Sequence, residues 1–148
     1  MTTRKELYNS VDQLTVSKYA EVRFNEVDSL GIVWHGHYIV FFEDGREAFG
    51  REHGLDYLTV KAAGYTTPIV SSSCAHKLPL RYGESFRIET SFVNTPAAKL
   101  IFRYKLFNED NRLVCSGETV QVFLDAENQL VLNTPAFVLN WKKAKGLL

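Results

Sequence analysis

The sequence predicts an α+β fold, an antiparallel sheet of about five strands wrapped around one long central helix. Three observations carry this: one stretch of helical periodicity from Tyr38 to Phe49, period-two alternation in the segments after it, and turn residues between those segments. With a single helix to cover the sheet, wrapping the sheet around it buries the most apolar surface. At 148 residues, 45% hydrophobic and 13% aromatic, the chain has the size and core material of one domain, 1–148.

The elements follow in order. Residues 1–15 read as an N-terminal extension, loosely held over about the first ten residues. From Ser17 to Asn25, Tyr19, Glu21 and Arg23 alternate with Ala20, Val22 and Phe24, which predicts a half-buried strand. Tyr38, Phe41, Phe42 and Phe49 then fall on helical spacing, with Glu43, Asp44, Arg46, Glu47, Arg51 and Glu52 as the polar side. This is a helix of about four turns with Gly36 at its N-cap and Gly54 just past its end. Gly45 and Gly50 each cost about 1 kcal/mol against Ala inside a helix, so close approach of the sheet is expected there.

Gly64 to about Lys77 is β-branched and small in character, and Pro68 marks it as an edge strand. Phe86–Phe92 and Lys99–Leu106 alternate cleanly, and a further strand runs from about Arg112 to Leu124. Asn94–Ala97 and Asn108–Asn111 supply the turns of an antiparallel meander. Asp125–Asn133 is polar loop, and within the tail 134–148 Pro135 opens a short helix running through Trp141 to Lys145.

Seventeen basic residues balance seventeen acidic ones, so no global field draws the chain to nucleic acid or to an anionic membrane. The opening MTTRKELYNS lacks the apolar stretch of a signal peptide, and no window resembles a membrane span, so a cytoplasmic protein without integral membrane contact is expected. Cys74 and Cys115 lie far apart with no metal-ligand spacing and read as buried free thiols. His53 and His76 read as structural for the same reason, and no metal is expected. Neither a G-x-S-x-G elbow, despite Ser71–Ser73, nor a P-loop nor a G-x-G-x-x-G is present. Lys142, Lys143 and Lys145 are expected to be a solvated helix end rather than a phosphate contact.

The segment DSLGIVWHGHY, Asp28 to Tyr38, carries the chemistry. It puts a carboxylate just after the first strand, three residues ahead of Gly31, and places His35-Gly36-His37 where the helix begins. A helix start offers unpaired N–H groups and the positive end of the dipole, and an acid beside them can attack, or direct water at, a carbonyl whose oxygen those groups polarise. That combination points to acyl chemistry, with the amides of His35 to His37 as donors. An Asp ahead of a Gly is also a common turn former, and only its company favours catalysis.

The run VRFNEVDSLGIVWHGHYIVFFEDGREAF, followed by LPLRYGESFRIET and CSGETVQVFLD, resembles the hotdog-fold thioesterases of the 4-hydroxybenzoyl-CoA thioesterase type, in particular the YbgC-like acyl-CoA thioesterase branch. The likeness covers roughly Ser17 to Leu124. It implies that Asp28 is the catalytic carboxylate and that His35 gives its backbone N–H to the thioester oxygen. It also implies that Gly31 is the turn glycine and Tyr38 the aromatic residue of the first helical turn. His37 stands where the family commonly has Asn; an imidazole there can bond Asp28 or water, making it a third catalytic candidate. Trp34 and Gly36 join Gly31 and Tyr38 as candidate substrate contacts. Glu43 is the alternative acid, because a related hotdog branch carries its carboxylate on this helix.

The resemblance therefore implies an acyl-CoA thioester hydrolase that needs no cofactor beyond the coenzyme A of its substrate. It acts as a homodimer or a pair of dimers, joined through the Thr66–Ala75 strand, with the active site between protomers. A non-catalytic acyl-CoA-binding hotdog module is the alternative, and a hotdog hydratase or dehydratase a weaker one. A carboxylate beside the thioester disfavours mere binding, since it repels an anionic ligand. Sequence does not read the acyl group.

Overall fold

The computed structural model describes residues 14–148. Most of the expected N-terminal extension, residues 1–13, lies outside them. The described elements are β1 (Thr15–Glu21), α1 (His37–His53), α2 (Tyr57–Ala62), β2 (Ile69–His76), β3 (Ser85–Val93), β4 (Lys99–Asn108), β5 (Leu113–Val122) and α3 (Ala136–Ala144). The five strands form one antiparallel sheet in the order β1-β3-β4-β5-β2, with α1 packed on its inner face.

The phenylalanine stripe of α1 makes the core. Tyr38, Phe41, Phe42 and Phe49 are buried against Phe86, Ile88, Phe92, Phe102, Tyr104 and Leu106 from β3 and β4. Burying each such side chain stabilises the fold by about 1.5–3 kcal/mol. Phe42 lies flat on Tyr104, ring centroids 4.6 Å apart at 8°. Tyr104 pairs across β4 and β5 with Gly117, where a Cβ would run into the Phe42 ring and come within 2.5 Å of the Ser73 carbonyl oxygen. Gly45 answers the sheet from the helix side: a Cβ there would collide with Thr90 Oγ1 and lie 2.6 Å from Ile88 Cγ2. The close approach of the sheet is thus present at Gly45, whereas a Cβ at Gly50 would meet the chain just past α1 instead, 2.8 Å from the Leu55 carbonyl oxygen.

Gly36 is the N-cap and Gly54, in the left-handed region at φ 75°, ends α1 as expected. The structure departs from the expectations in four places. The first strand ends at Glu21, and a 3-10 turn, Phe24–Glu26, replaces its last residues; Phe24 is consequently 79% exposed instead of facing inward. The helix α2 was not expected. Lys142 is not a solvated helix end: it is 2% exposed, and its ammonium donates to the Thr95 carbonyl at 2.8 Å beside the Phe92 ring. Both cysteines are free, but only Cys115 is fully buried, and that burial pushes its thiol well above the usual range.

Candidate active site

The path from β1 into α1 is a folded-back loop held by its own main chain. Val27 bridges Val33, Asp28 N–H donates to Ile32 O at 2.9 Å, and Trp34 N–H donates to Glu26 O at 3.1 Å. The tip is the Asp28–Gly31 turn, closed by Gly31 N–H to Asp28 O at 3.0 Å, with Gly31 at φ 75°. An L side chain at that φ is strained, which explains the glycine. These ties fold the acid-bearing turn back along Ile32, Val33 and Trp34, the segment that leads into α1.

Asp28 is half-buried. Its Oδ1 accepts the Leu30 N–H at 2.8 Å, an Asx turn that orients the carboxylate, and Oδ2 has no hydrogen-bond partner among the described residues. At the helix start the amides divide. His37 N–H donates to Trp34 O at 2.8 Å, so it is occupied, contrary to the expectation that all three of His35 to His37 serve as donors. The amides of His35 and Gly36 have no acceptor among the described residues. A Cβ at Gly36 would overlap the Trp34 indole, 2.9 Å from Cε3, so the indole would have to swing aside to admit one. Trp34 itself is 53% exposed and leans on the His35 ring.

The side chains of the other expected residues go different ways. His37 turns inward, its Nε2 3.0 Å from Glu26 Oε2 and its ring edge-on to Phe41. Tyr38 is buried; its hydroxyl accepts the Leu80 N–H at 3.3 Å, and burial raises its phenol. It supports the helix start from within the core rather than presenting a surface to a ligand, which corrects its expected role as a substrate contact. Glu43 lies about 9 Å along α1 from His37 at 1.5 Å per residue. It pairs loosely with Arg46 at 3.9 Å and lines a separate cavity.

That cavity, about 450 Å³, lies between α1, α2 and the β4–β5 part of the sheet. Leu55, Val60, Leu100 and Phe102 make its apolar walls, and Arg46 and Gln121 add polar groups. Arg46 donates to the Tyr104 hydroxyl at 3.3 Å, which in turn shares a 2.6 Å hydrogen bond with Thr119. Gln121 donates Nε2 to both oxygens of Thr67, at 2.8 and 3.1 Å. Among the described residues no group of three or more His, Cys, Asp or Glu side chains is placed to hold a metal ion.

Sequence reasoning missed Glu26. It is 3% exposed inside the 3-10 turn and accepts the Arg23 N–H at 2.7 Å. Its only sequence signal was its parity, since it continues the Ala20, Val22, Phe24 face that the expected strand alternation turned inward.

An antiparallel sheet curled over one long helix defines the hotdog fold. Residues 22–142 match the thioesterase-like superfamily, and the chain belongs to it. It is 31% identical over 111 residues to "Putative acyl-CoA thioesterase YneP" of Bacillus subtilis, covering 75% of this chain and 80% of that one. It is 23% identical over 104 residues to the acyl-CoA thioester hydrolase YbgC of Escherichia coli, covering 70% and 78% of the two chains. The crystal structure of a DHNA-CoA thioesterase from Staphylococcus aureus superposes with a TM-score of 0.79 at 21% identity, over 90% of this chain and 92% of that one. The expected hotdog fold and thioesterase family are therefore both met. No helix of the described residues is long and apolar enough to cross a membrane.

Proposed function

We propose that the protein hydrolyses acyl-CoA thioesters, releasing free coenzyme A and a carboxylic acid. The observations that support this reading are the Asp28 turn folded back along the approach to α1, its Oδ2 unpaired, and the His35 and Gly36 amides unpartnered among the described residues. The thioester oxygen rests on those amides, aided by the helix dipole. Losing one such donor typically costs about 10²–10³ in turnover. Asp28 either attacks the carbonyl carbon to give a mixed anhydride or orients water for attack. Coenzyme A leaves as thiolate, so a strong general acid is not obligatory. Gly31 shapes the turn, and Trp34 and Gly36 flank the reacting group.

The same reading makes the protein a single-domain cytoplasmic enzyme that needs no cofactor beyond the coenzyme A of its substrate. It works as a homodimer joined through β2. That strand is a sheet edge with Ile69 and Val70 exposed, and pairing with a second copy satisfies an edge that otherwise invites aggregation. The α1–α2 cavity supports an acyl group seated between helix and sheet, with Glu43 as a polar wall rather than the acid.

The test is thiol release from a panel of acyl-CoAs with wild type beside Asp28→Asn. Turnover that the substitution removes is expected. Undiminished turnover in Asp28→Asn sinks the assignment of the acid, and a silent wild type that still binds acyl-CoA supports the binding module instead.

A further inference from the structure

The turn that presents Asp28 also buries a second carboxylate, which the chemistry above does not use. Every hydrogen bond and ion pair of the Glu26 carboxylate among the described residues is with a donor. Oε1 accepts the Arg23 N–H at 2.7 Å, and Oε2 lies 3.0 Å from His37 Nε2 and 3.6 Å from the Arg23 guanidinium. A buried carboxylate persists only with such partners. Since a carboxylate oxygen can only accept, the His37 nitrogen facing it carries a proton, and Nδ1 becomes the lone-pair nitrogen of the neutral ring. Phe41 braces the imidazole from another side, 4.9 Å away at 72°. The Glu26 carbonyl, through Trp34 N–H, ties the same residue to the approach to α1. Buried acid, fixed tautomer and helix start are thus one unit.

We propose that Glu26 is a positioning residue for thioester hydrolysis, holding His37 as a neutral base whose Nδ1 takes a proton from the attacking water. The proposal rests on the thioesterase reading above. Water oxygen bonds to the carbonyl carbon, oriented by Asp28, while one of its protons passes to Nδ1. The tetrahedral intermediate then collapses with cleavage of the C–S bond. The departing thiolate takes the proton from the imidazolium, which the Glu26 carboxylate has meanwhile stabilised.

The test combines tautomer and kinetics. In Glu26→Gln the amide oxygen takes the Arg23 N–H, so the amide NH₂ faces His37 Nε2 and favours the Nδ1–H tautomer. Long-range ¹H–¹⁵N spectra of labelled protein read this without turnover. We expect Nε2–H in the wild type and Nδ1–H in Glu26→Gln, with kcat down about 100-fold and KM within about threefold. In a His37→Asn background the same substitution should change kcat by less than about twofold, because its effect passes through the imidazole. Additive losses in the double variant, unchanged kcat in Glu26→Gln, or Nδ1–H in the wild type overturns the proposal. If Glu26→Gln does not fold, His37→Asn decides, and wild-type kcat there overturns it. A wild type with the Nε2–H tautomer that cleaves no acyl-CoA sinks the hydrolysis reading and this role with it, while leaving the pair itself intact.

Discussion

Gly45→Ala tests how closely the sheet is drawn onto α1. In an ordinary helix the exchange stabilises by about 1 kcal/mol. Here the new Cβ collides with Thr90 Oγ1 and sits 2.6 Å from Ile88 Cγ2. Ordinary contacts are about 3.5–4.0 Å, so roughly an ångström must be found between α1 and β3. Both sides of that gap are packed, with Ile88 and Thr90 fully buried, and neither is the end of a long flexible chain. Overpacking of this kind costs about 1–3 kcal/mol. A shortfall this large belongs near the upper end, which outweighs the propensity gain by about 1–2 kcal/mol. At about 2–4 °C per kcal/mol for a chain of this size, the melting temperature should fall by about 2–8 °C. Differential scanning calorimetry of the variant beside wild type measures it. Adding Thr90→Ala, which removes the colliding and otherwise unpartnered hydroxyl, should recover part of the loss. A Gly45→Ala protein that melts at or above wild type refutes the argument.

The remaining predictions concern chemistry, buried polar groups and assembly. Asp28→Asn should lower thioester turnover by about 10²–10⁴ with an unchanged circular dichroism spectrum, read by thiol release. Tyr104→Phe keeps the stack on Phe42 but strips Thr119 of its 2.6 Å partner. Urea unfolding should then show a loss of about 1–3 kcal/mol with unchanged m. Lys142 has its ammonium pushed below the usual lysine range by burial, so the unfolded chain binds more protons in the window just under 10.5. Its contribution to stability should therefore rise as pH climbs through that window, and the stability difference between wild type and Lys142→Met should change there in that direction. No change with pH removes the claim. Val70→Lys on the open edge of β2 should convert a dimer to monomers in light scattering.

The helix and the meander were legible because each has a periodic apolar face against one layer: Phe41, Phe42 and Phe49 on α1, Ile88 and Phe92 on β3, Phe102 and Tyr104 on β4. The glycine conflict inside α1 even pointed to the contact it now explains. What escaped was decided by tertiary partners that spacing does not encode. The helix α2 spans six residues, too short for a period to show. The 3-10 turn depends on Glu26 capping Arg23, and it inverted the expected orientation of Phe24. Lys142 is buried because the Thr95 carbonyl and the Phe92 ring come from a distant strand and its turn. At the candidate site, the Asp, Gly and His pattern located the loop and the helix start. It gave no hint that the His37 amide is taken or that its imidazole turns toward a buried acid.

The chain's two tryptophans are placed to report on different ends of α1. Trp34 is half in solvent over Gly36, whereas Trp141 donates its indole N–H to the His53 carbonyl at 2.6 Å and packs on Phe92. Emission from the first should respond to any molecule arriving at the helix entrance, while the second, shielded at the far end, serves as an internal standard. Occupancy can thus be followed by intrinsic fluorescence, without a label and without waiting for a bond to break.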